Sequence, residues 1–294
     1  MISLSDIISI IRVKQWYKNF IIFLGLIFGL ELISFENIFV TIFGLISFCL
    51  VSGASYIRND ISDIDKDRNH PQKKNRPLAA GVISIKQGYF LFLSFLISGL
   101  TIGFFLDFYF GIVALALFVN TELYSKFFKN IKFIDVFFIG INFILRAISG
   151  ILLIETKISP WIVLGVFFVA LLLGFMKRKS ELLSLKESAK SHRTVLGQYT
   201  LASLNLSVNI SAIMILITYS VYVLFGPFPD WRLLPTIPLI IIIVFRQLQL
   251  SNKNDILIQK NEFFKDRLTV FTAFIYILLT ILMLYFFDNL KLFV

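Results

Sequence analysis

The sequence predicts an all-α polytopic membrane protein with nine transmembrane helices. Three observations carry that expectation. Of 294 residues, 57% are hydrophobic and only 16% charged, with a mean hydropathy of +0.84, where soluble domains average roughly 45–50% apolar and about 25% charged. Nine apolar runs approach or reach the length of about 20 residues that a helix needs to cross a bilayer. The formal net charge is nevertheless +10, so the cations must be segregated by those runs.

The runs fall at 19–34, 38–57, 88–106, 109–126, 134–154, 161–176, 201–225, 235–250 and 268–287. The first follows a basic, amphipathic opening and leads directly into further spans, which is not the pattern of a cleavable signal. With nine crossings, the segments on the amino-terminal side are 1–18, 58–87, 126–133, 177–200 and 246–267, and they hold 24 of the 28 Lys and Arg. The opposite side holds Lys157, Arg232 and Lys291, and Arg146 lies inside a span. The positive-inside rule then puts the amino terminus and the basic loops in the cytosol of a cell-membrane protein. The opposite connections are too short for an external domain. One cysteine, Cys49, excludes an intrachain disulfide, and two histidines, His70 and His192, exclude a His-cluster zinc site. A single membrane domain, 1–294, with chemistry in the loops 58–87 and 126–135, is expected.

The second span runs into Asn59-Asp60-Ile61-Ser62-Asp63-Ile64-Asp65-Lys66-Asp67. On a continuous helix Asp60, Asp63 and Asp67 fall within about 60° of one another, with Asn59 beside them and Asp65 opposite. Three carboxylates on one face repel unless a cation sits between them. Mg2+ meets that need, since it bridges one or two carboxylates to substrate phosphates. The alternative is a solvated acidic helix end balanced by Arg68, Lys73, Lys74 and Arg76.

The next polar stretch, 120–135, has the opposite balance. It carries Glu122, Tyr124, Lys126, Lys129 and Lys132, and a single aspartate, Asp135. Lysines act as point-charge phosphate binders. In the fifth span Asp135, Asn142 and Arg146 share one helix face, with Ser149 nearby, and Arg146 lies roughly 16 Å along the helix from Asp135. An intramembrane cation faces the bundle interior or a wet cavity and has a partner. Two readings stay open for it, a substrate contact or an arginine satisfied by helix-end carbonyls or Glu122.

Asn59-Asp60-x-x-Asp63-x-x-x-Asp67 followed by Arg76-Pro77-Leu78-Ala79-x-Gly81 resembles the first aspartate-rich motif of the UbiA superfamily of intramembrane prenyltransferases. The resemblance implies nine helices around a central cavity opening to the cytosol, with Mg2+ held at Asp60, Asp63 and Asp67. The stretches Arg12-Val13-Lys14-Gln15-Trp16-Tyr17-Lys18-Asn19, His70-Pro71-x-x-Lys74-x-Arg76-Pro77, Tyr124-Ser125-x-x-Phe128-Lys129, Leu145-Arg146-Ala147-Ile148-Ser149-Gly150 and Lys177-Arg178-Lys179-Ser180-Glu181-Leu182 are similar to the decaprenyl-phosphate phosphoribosyltransferase branch. Val13 and Phe128 depart from that pattern where proline and leucine are usual. A second aspartate-rich motif is usual in the superfamily, and the single Asp135 departs from it.

What this branch implies is transfer of 5-phosphoribose from phosphoribosyl pyrophosphate to a polyprenyl phosphate, with Mg2+ on the departing diphosphate. The implied catalytic groups are Asn59, Asp60, Asp63, Asp67 and Asp135. Asp135 could hold a ribose hydroxyl, a second metal or Lys129. Candidate phosphate contacts are Lys14, Lys18, Lys74, Arg76, Tyr124, Lys126, Lys129, Arg146, Lys177 and Arg178. Lys14 and Lys18 also suit anchoring of an amphipathic helix to anionic lipid, and Trp16 and Tyr17 suit the bilayer interface. Arg193 and Tyr199 are candidates for a lid. Two other readings compete: an aromatic polyprenyltransferase using prenyl diphosphate, and a transporter whose acidic cluster is a cation site. Half-sequence repeats, common in transporters, are not visible. The surplus of cations points to phosphorylated substrates at a membrane and not to nucleic acid.

Overall fold

A computed structural model describes residues 3–70, 73–157, 159–185, 194–226, 232–252 and 266–286. These are helical almost throughout, with no strand among them. Eight helices among the described residues are long and apolar enough to cross a membrane. The chain divides into two compact units, 1–126 with 145–156, and 127–144 with 157–294.

The first unit opens with α1 (Leu4–Ile10), whose start is fixed by a reciprocal cap between Ser3 and Asp6. Arg12 then takes a left-handed conformation, φ 51°, and ends α1. The first expected span does not become one long α-helix. It forms a 3-10 segment, Val13–Phe23, followed by α2, Leu24–Phe28. A 3-10 helix rises about 2 Å per residue against 1.5 Å for an α-helix. Laid end to end, the two pieces would measure about 30 Å.

The remaining helices of this unit are α3 (Phe35–Ser62), α4 (Ile64–Arg68), α5 (Ile85–Leu106) and α6 (Phe108–Leu123), the last continuing into a π turn, Tyr124–Phe128. Helix α3 is the centre of the unit and packs against the 3-10 segment, α5 and α6. It buries small residues, among them Gly44, Ser47, Ser52, Gly53 and Ala54. Small side chains let helix backbones approach closely in a membrane protein, and the Ser47 hydroxyl accordingly donates to the Gly99 carbonyl of α5 at 2.7 Å. Asp107, expected in an outer connection, caps α6 by accepting the Phe110 N–H.

Helix α7 (Ile134–Leu153) gives its residues through 144 to the second unit and the rest to the first. The second unit adds α8 (Pro160–Leu185), α9 (Leu201–Phe225), α10 (Ile237–Asn252) and α11 (Arg267–Tyr285). Its core joins Val136 of α7, Leu172 and Met176 of α8, Leu204 and Val208 of α9, and Val244 and Leu250 of α10. Helix α8 is longer than its apolar run, because Lys177, Arg178 and Lys179 continue it instead of starting a loop. Its extra turns are stabilised by pairing, with Arg178 on Asp135 and Lys179 on Asn252. Large apolar faces stay uncovered: Phe90, Phe105, Phe271 and Phe274 are all more than 60% exposed, as lipid-facing side chains of an integral membrane protein are.

Candidate functional site

The acidic motif is organised by a helix break. Helix α3 ends at Ser62, Asp63 lies at φ −104°, ψ 10°, and α4 begins at Ile64. Across this break the three aspartates differ in burial. Asp60 and Asp67 are buried, while Asp63 is one-third exposed, 4.0 Å from the Lys66 ammonium. Asp65 points to solvent, 3.6 Å from Arg68.

The two buried carboxylates converge on one guanidinium nitrogen. Arg76 Nη1 donates to Asp60 Oδ1 at 3.0 Å and to Asp67 Oδ2 at 2.6 Å. Asp60 also accepts from Arg12, whose guanidinium lies 4.8 Å over the Tyr56 ring. Arg76 is carried by the turn after Lys73–Asn75. Leu78 and Ala79 bury their side chains, and Gly81 takes φ 76° to send the chain into α5. A left-handed residue there is met at least steric cost by glycine, which explains the last position of the Arg76–Gly81 pattern.

Asp60 and Asp67 are a hard-oxygen donor pair already aimed at a single positive centre. That fits Mg2+, which is held by one or two carboxylates together with substrate phosphates. Asp63 is not part of the pair. No group of three or more acidic, His or Cys side chains able to hold a metal occurs among the described residues.

Arg146 lies deeper in the same unit. Its side chain is buried, with Nε donating to Asn19 Oδ1 at 2.7 Å and Nη2 to Ser52 Oγ at 3.4 Å. Asn19 also donates to Cys49 Sγ. Glu122, one of the alternative partners the sequence offers for Arg146, pairs with Lys126 at 3.2 Å, one turn along in the π segment. Tight backbone contact underlies this pocket. Gly150 lies against the Ile22 carbonyl, and Gly25 against Gly150, where any side chain would collide.

The second unit holds its own polar cluster. Asp135 is fully buried, and both carboxylate oxygens are engaged. Arg178 Nε donates to Oδ2 and the Tyr199 hydroxyl to Oδ1, each at 2.7 Å. Arg178 also donates to Glu181 at 3.0 Å. Asp135 thus pairs with Arg178 and not with Lys129, and Arg178 is a buried ion-pair partner in this geometry instead of a free phosphate contact. Burial first, then the hydrogen bond to and charge of Asp135, push the Tyr199 hydroxyl well above its ordinary pKa, so it remains the donor.

The hydroxyl of Tyr199 also accepts the Phe133 N–H at 2.7 Å. Phe133 sits at φ 66°, a left-handed conformation that costs a bulky residue roughly 1–3 kcal/mol and survives only where its surroundings enforce it. Its ring packs edge-on against Tyr199 and Phe175.

The other sequence candidates are placed as follows. Lys14 is exposed on the 3-10 segment, and Lys18 is half-buried, 5.9 Å from the Tyr17 ring. Trp16 packs against the apolar core of the first unit, so it is not a bare interface anchor. Asn59 is half-buried at the end of α3, and Lys74 is exposed. Tyr124 and Lys126 lie in the π turn, a feature that recurs at functional sites. Lys129 is half-buried, and Lys177 lies 3.9 Å from Glu181. Pro71 and Arg193 lie outside the described residues.

The sequence alone does not mark the roles of Arg12, Asn19 and Ser52, and it offers Tyr199 only as a lid candidate. Arg12 and Asn19 stand at the two ends of the quoted stretch 12–19, so their place in a motif was the available signal. Nothing in local spacing marks Ser52 or the Tyr199 contact.

Residues 20–265 match the model of the UbiA prenyltransferase family. An uncharacterized protein of Sinorhizobium fredii is 36% identical over 58% of this chain, which spans about a third (33%) of that protein's length. The decaprenyl-phosphate phosphoribosyltransferase of Mycolicibacterium smegmatis is 27% identical over 74% of this chain and 70% of its own. Among solved structures, a UbiA homolog from Archaeoglobus fulgidus bound to DMAPP and Mg2+ superposes with a TM-score of 0.72 at 19% identity, over 95% of this chain and 98% of that one. With the family match covering most of its length and the helical fold shared almost end to end, this chain belongs to the UbiA prenyltransferase family.

Proposed function

We propose that the chain transfers 5-phosphoribose from phosphoribosyl pyrophosphate to a polyprenyl phosphate. A phosphate oxygen of the lipid attacks C1 of the ribose, the bond from C1 to the diphosphate oxygen breaks, and diphosphate leaves. The acceptor is already an anion, so the step asks for no strong general base.

The observation that carries this reading is the state of Asp135. Both of its oxygens are taken within the protein, so the stretch 126–135 offers lysines in place of a second free carboxylate. Lysine-rich surroundings suit a reaction with phosphate on both substrates better than alkylation of an uncharged ring. The named M. smegmatis relative supports the same assignment.

In this reading Asp60 and Asp67 hold Mg2+, with Asn59 beside them and Asp63 contributing from outside the buried pair. Bound Mg2+ neutralises the charge that develops on departing diphosphate. Arg76 and Arg12 offset the repulsion between the two carboxylates. Lys14, Lys18, Lys74, Tyr124, Lys126, Lys129 and Lys177 are the candidate phosphate contacts. Arg146 orders the Asn19 segment, and Arg178 anchors Asp135. The same reading takes the 3-10 segment and α2 as the first of nine crossings, with the amino terminus and the chemistry at the cytosolic face of the cell membrane, which the distribution of Lys and Arg supports.

The test is incubation of the purified protein with Mg2+, polyprenyl phosphate and phosphoribosyl pyrophosphate labelled in the ribose. Label in the lipid extract supports the reading, and label confined to the aqueous phase contradicts it.

A further inference from the structure

The loop 129–133 is held in place more firmly than a connection requires. Gln198 accepts the Lys132 N–H at 3.1 Å and donates to the Asn130 carbonyl at 3.0 Å. Thr194 donates to the Asn130 side chain at 2.7 Å, and Tyr199 accepts the Phe133 N–H. Four hydrogen bonds from 194–199 therefore clamp three residues of this loop, Asn130, Lys132 and Phe133, the last of them in a strained conformation. Strain of this kind is retained where a group must be presented in one geometry.

The group presented is Lys132. Its ammonium lies 4.8 Å from the Phe133 ring centroid and 5.7 Å from that of Tyr199, and the residue is half-buried, so the charge is oriented yet reachable. The loop's single carboxylate, Asp135, is committed to Arg178 and Tyr199 and does not neutralise it. Among the described residues no carboxylate pairs with that ammonium, and an ammonium held against aromatic faces is suited to a phosphate group.

We infer that Lys132 contacts a substrate phosphate and that Tyr199 is the positioning residue that presents it. The inference rests on the phosphoribosyl-transfer reading for its substrate, but the clamp itself does not. It predicts that Tyr199→Phe, which keeps the ring and removes the hydroxyl, loosens the loop without unfolding the unit.

Hydrogen exchange in lipid nanodiscs reads the clamp directly. Loss of one hydrogen bond should speed exchange of the Lys132 and Phe133 amides by about tenfold in Tyr199→Phe; unchanged exchange overturns the positioning role. In kinetics, Lys132→Gln and Tyr199→Phe should each raise one KM roughly tenfold, with kcat and the half-saturating Mg2+ within about twofold, and Lys132→Arg should restore part of the loss. A raised KM for the lipid assigns Lys132 to the lipid phosphate, and a raised KM for the sugar donor assigns it to the donor. Unchanged KM for both overturns the phosphate contact. If the wild type transfers no phosphoribose, the functional reading has failed, and Lys132 is judged by phosphoribosyl pyrophosphate added in the exchange experiment. Protection of the loop in wild type but not in Lys132→Gln supports the contact, and equal behaviour of the two overturns it.

Discussion

Arg76 joins Asp60 and Asp67 through a single nitrogen, at 3.0 and 2.6 Å. One guanidinium thereby draws together the two buried carboxylates that would hold Mg2+ in the proposed reaction. The arrangement separates the aspartates by role. Asp60→Asn and Asp67→Asn should each lower turnover by at least about a hundredfold, the scale lost with one preorganised electrostatic contact, while the protein stays folded in detergent. Asp63→Asn should retain activity within about tenfold, because its carboxylate lies outside the buried pair. Initial rates at saturating Mg2+ check this, and equal losses at all three positions would argue for a three-aspartate site.

The Asp135–Arg178 pair is a different case, since both side chains are almost wholly buried. Removing one partner strands a charge, which costs about 3–5 kcal/mol. Arg178→Met should therefore strongly lower the unfolding midpoint in detergent. Arg178→Met with Asp135→Asn should lose less than the two single losses combined, because no lone charge is left. Strict additivity would contradict direct pairing.

Arg146 and Asn19 should be coupled in the same sense. Residues sharing a hydrogen bond show interaction energies of roughly 0.5–3 kcal/mol in double-mutant cycles. Arg146→Leu and Asn19→Ala, measured singly and together by thermal unfolding, should be non-additive by that amount. Additivity would show that the contact at 2.7 Å contributes nothing.

The pH dependence of the second unit has a defined sign at Asp266. Hydrogen bonds from Arg246, and from the Thr269 N–H and hydroxyl, hold its carboxyl down to about 2. The folded value lies below the unfolded one, so the stabilisation is complete above pH of about 4. It is lost as pH falls through about 2. Unfolding midpoints of wild type and Asp266→Asn should differ by a constant amount from pH 5 to 8 and converge as pH falls from about 4 through about 2. A gap that widens on acidification would contradict this.

Much of the fold was legible because a bilayer imposes long apolar runs whatever their packing. Eight of the nine expected runs correspond to long helices. The 3-10 form of the first was not legible because composition does not distinguish a 3-10 segment from an α-helix. The end of α8 was misread because a Lys-Arg-Lys run resembles a loop until its partners are known. Asp135 lies 43 positions from Arg178, a separation that no local pattern reports. The acidic motif was legible as a motif, yet the break at Asp63 was not, since Asp63 carries no glycine or proline to mark it. The clamp of Tyr199 on Phe133 depends on a backbone angle and a distant hydroxyl, neither of which spacing encodes.

The central claim is that the transferred group is a phosphoribose and not a prenyl chain. It is tested most directly by supplying both donor–acceptor pairs together to the protein in nanodiscs with Mg2+: phosphoribosyl pyrophosphate with polyprenyl phosphate, and prenyl diphosphate with hydroxybenzoate. Mass spectrometry of the lipid extract reads the outcome. The account predicts polyprenyl phosphate carrying an added phosphoribosyl group, abolished in Asp60→Asn. A prenylated aromatic acid as the product, with polyprenyl phosphate unchanged, would contradict it.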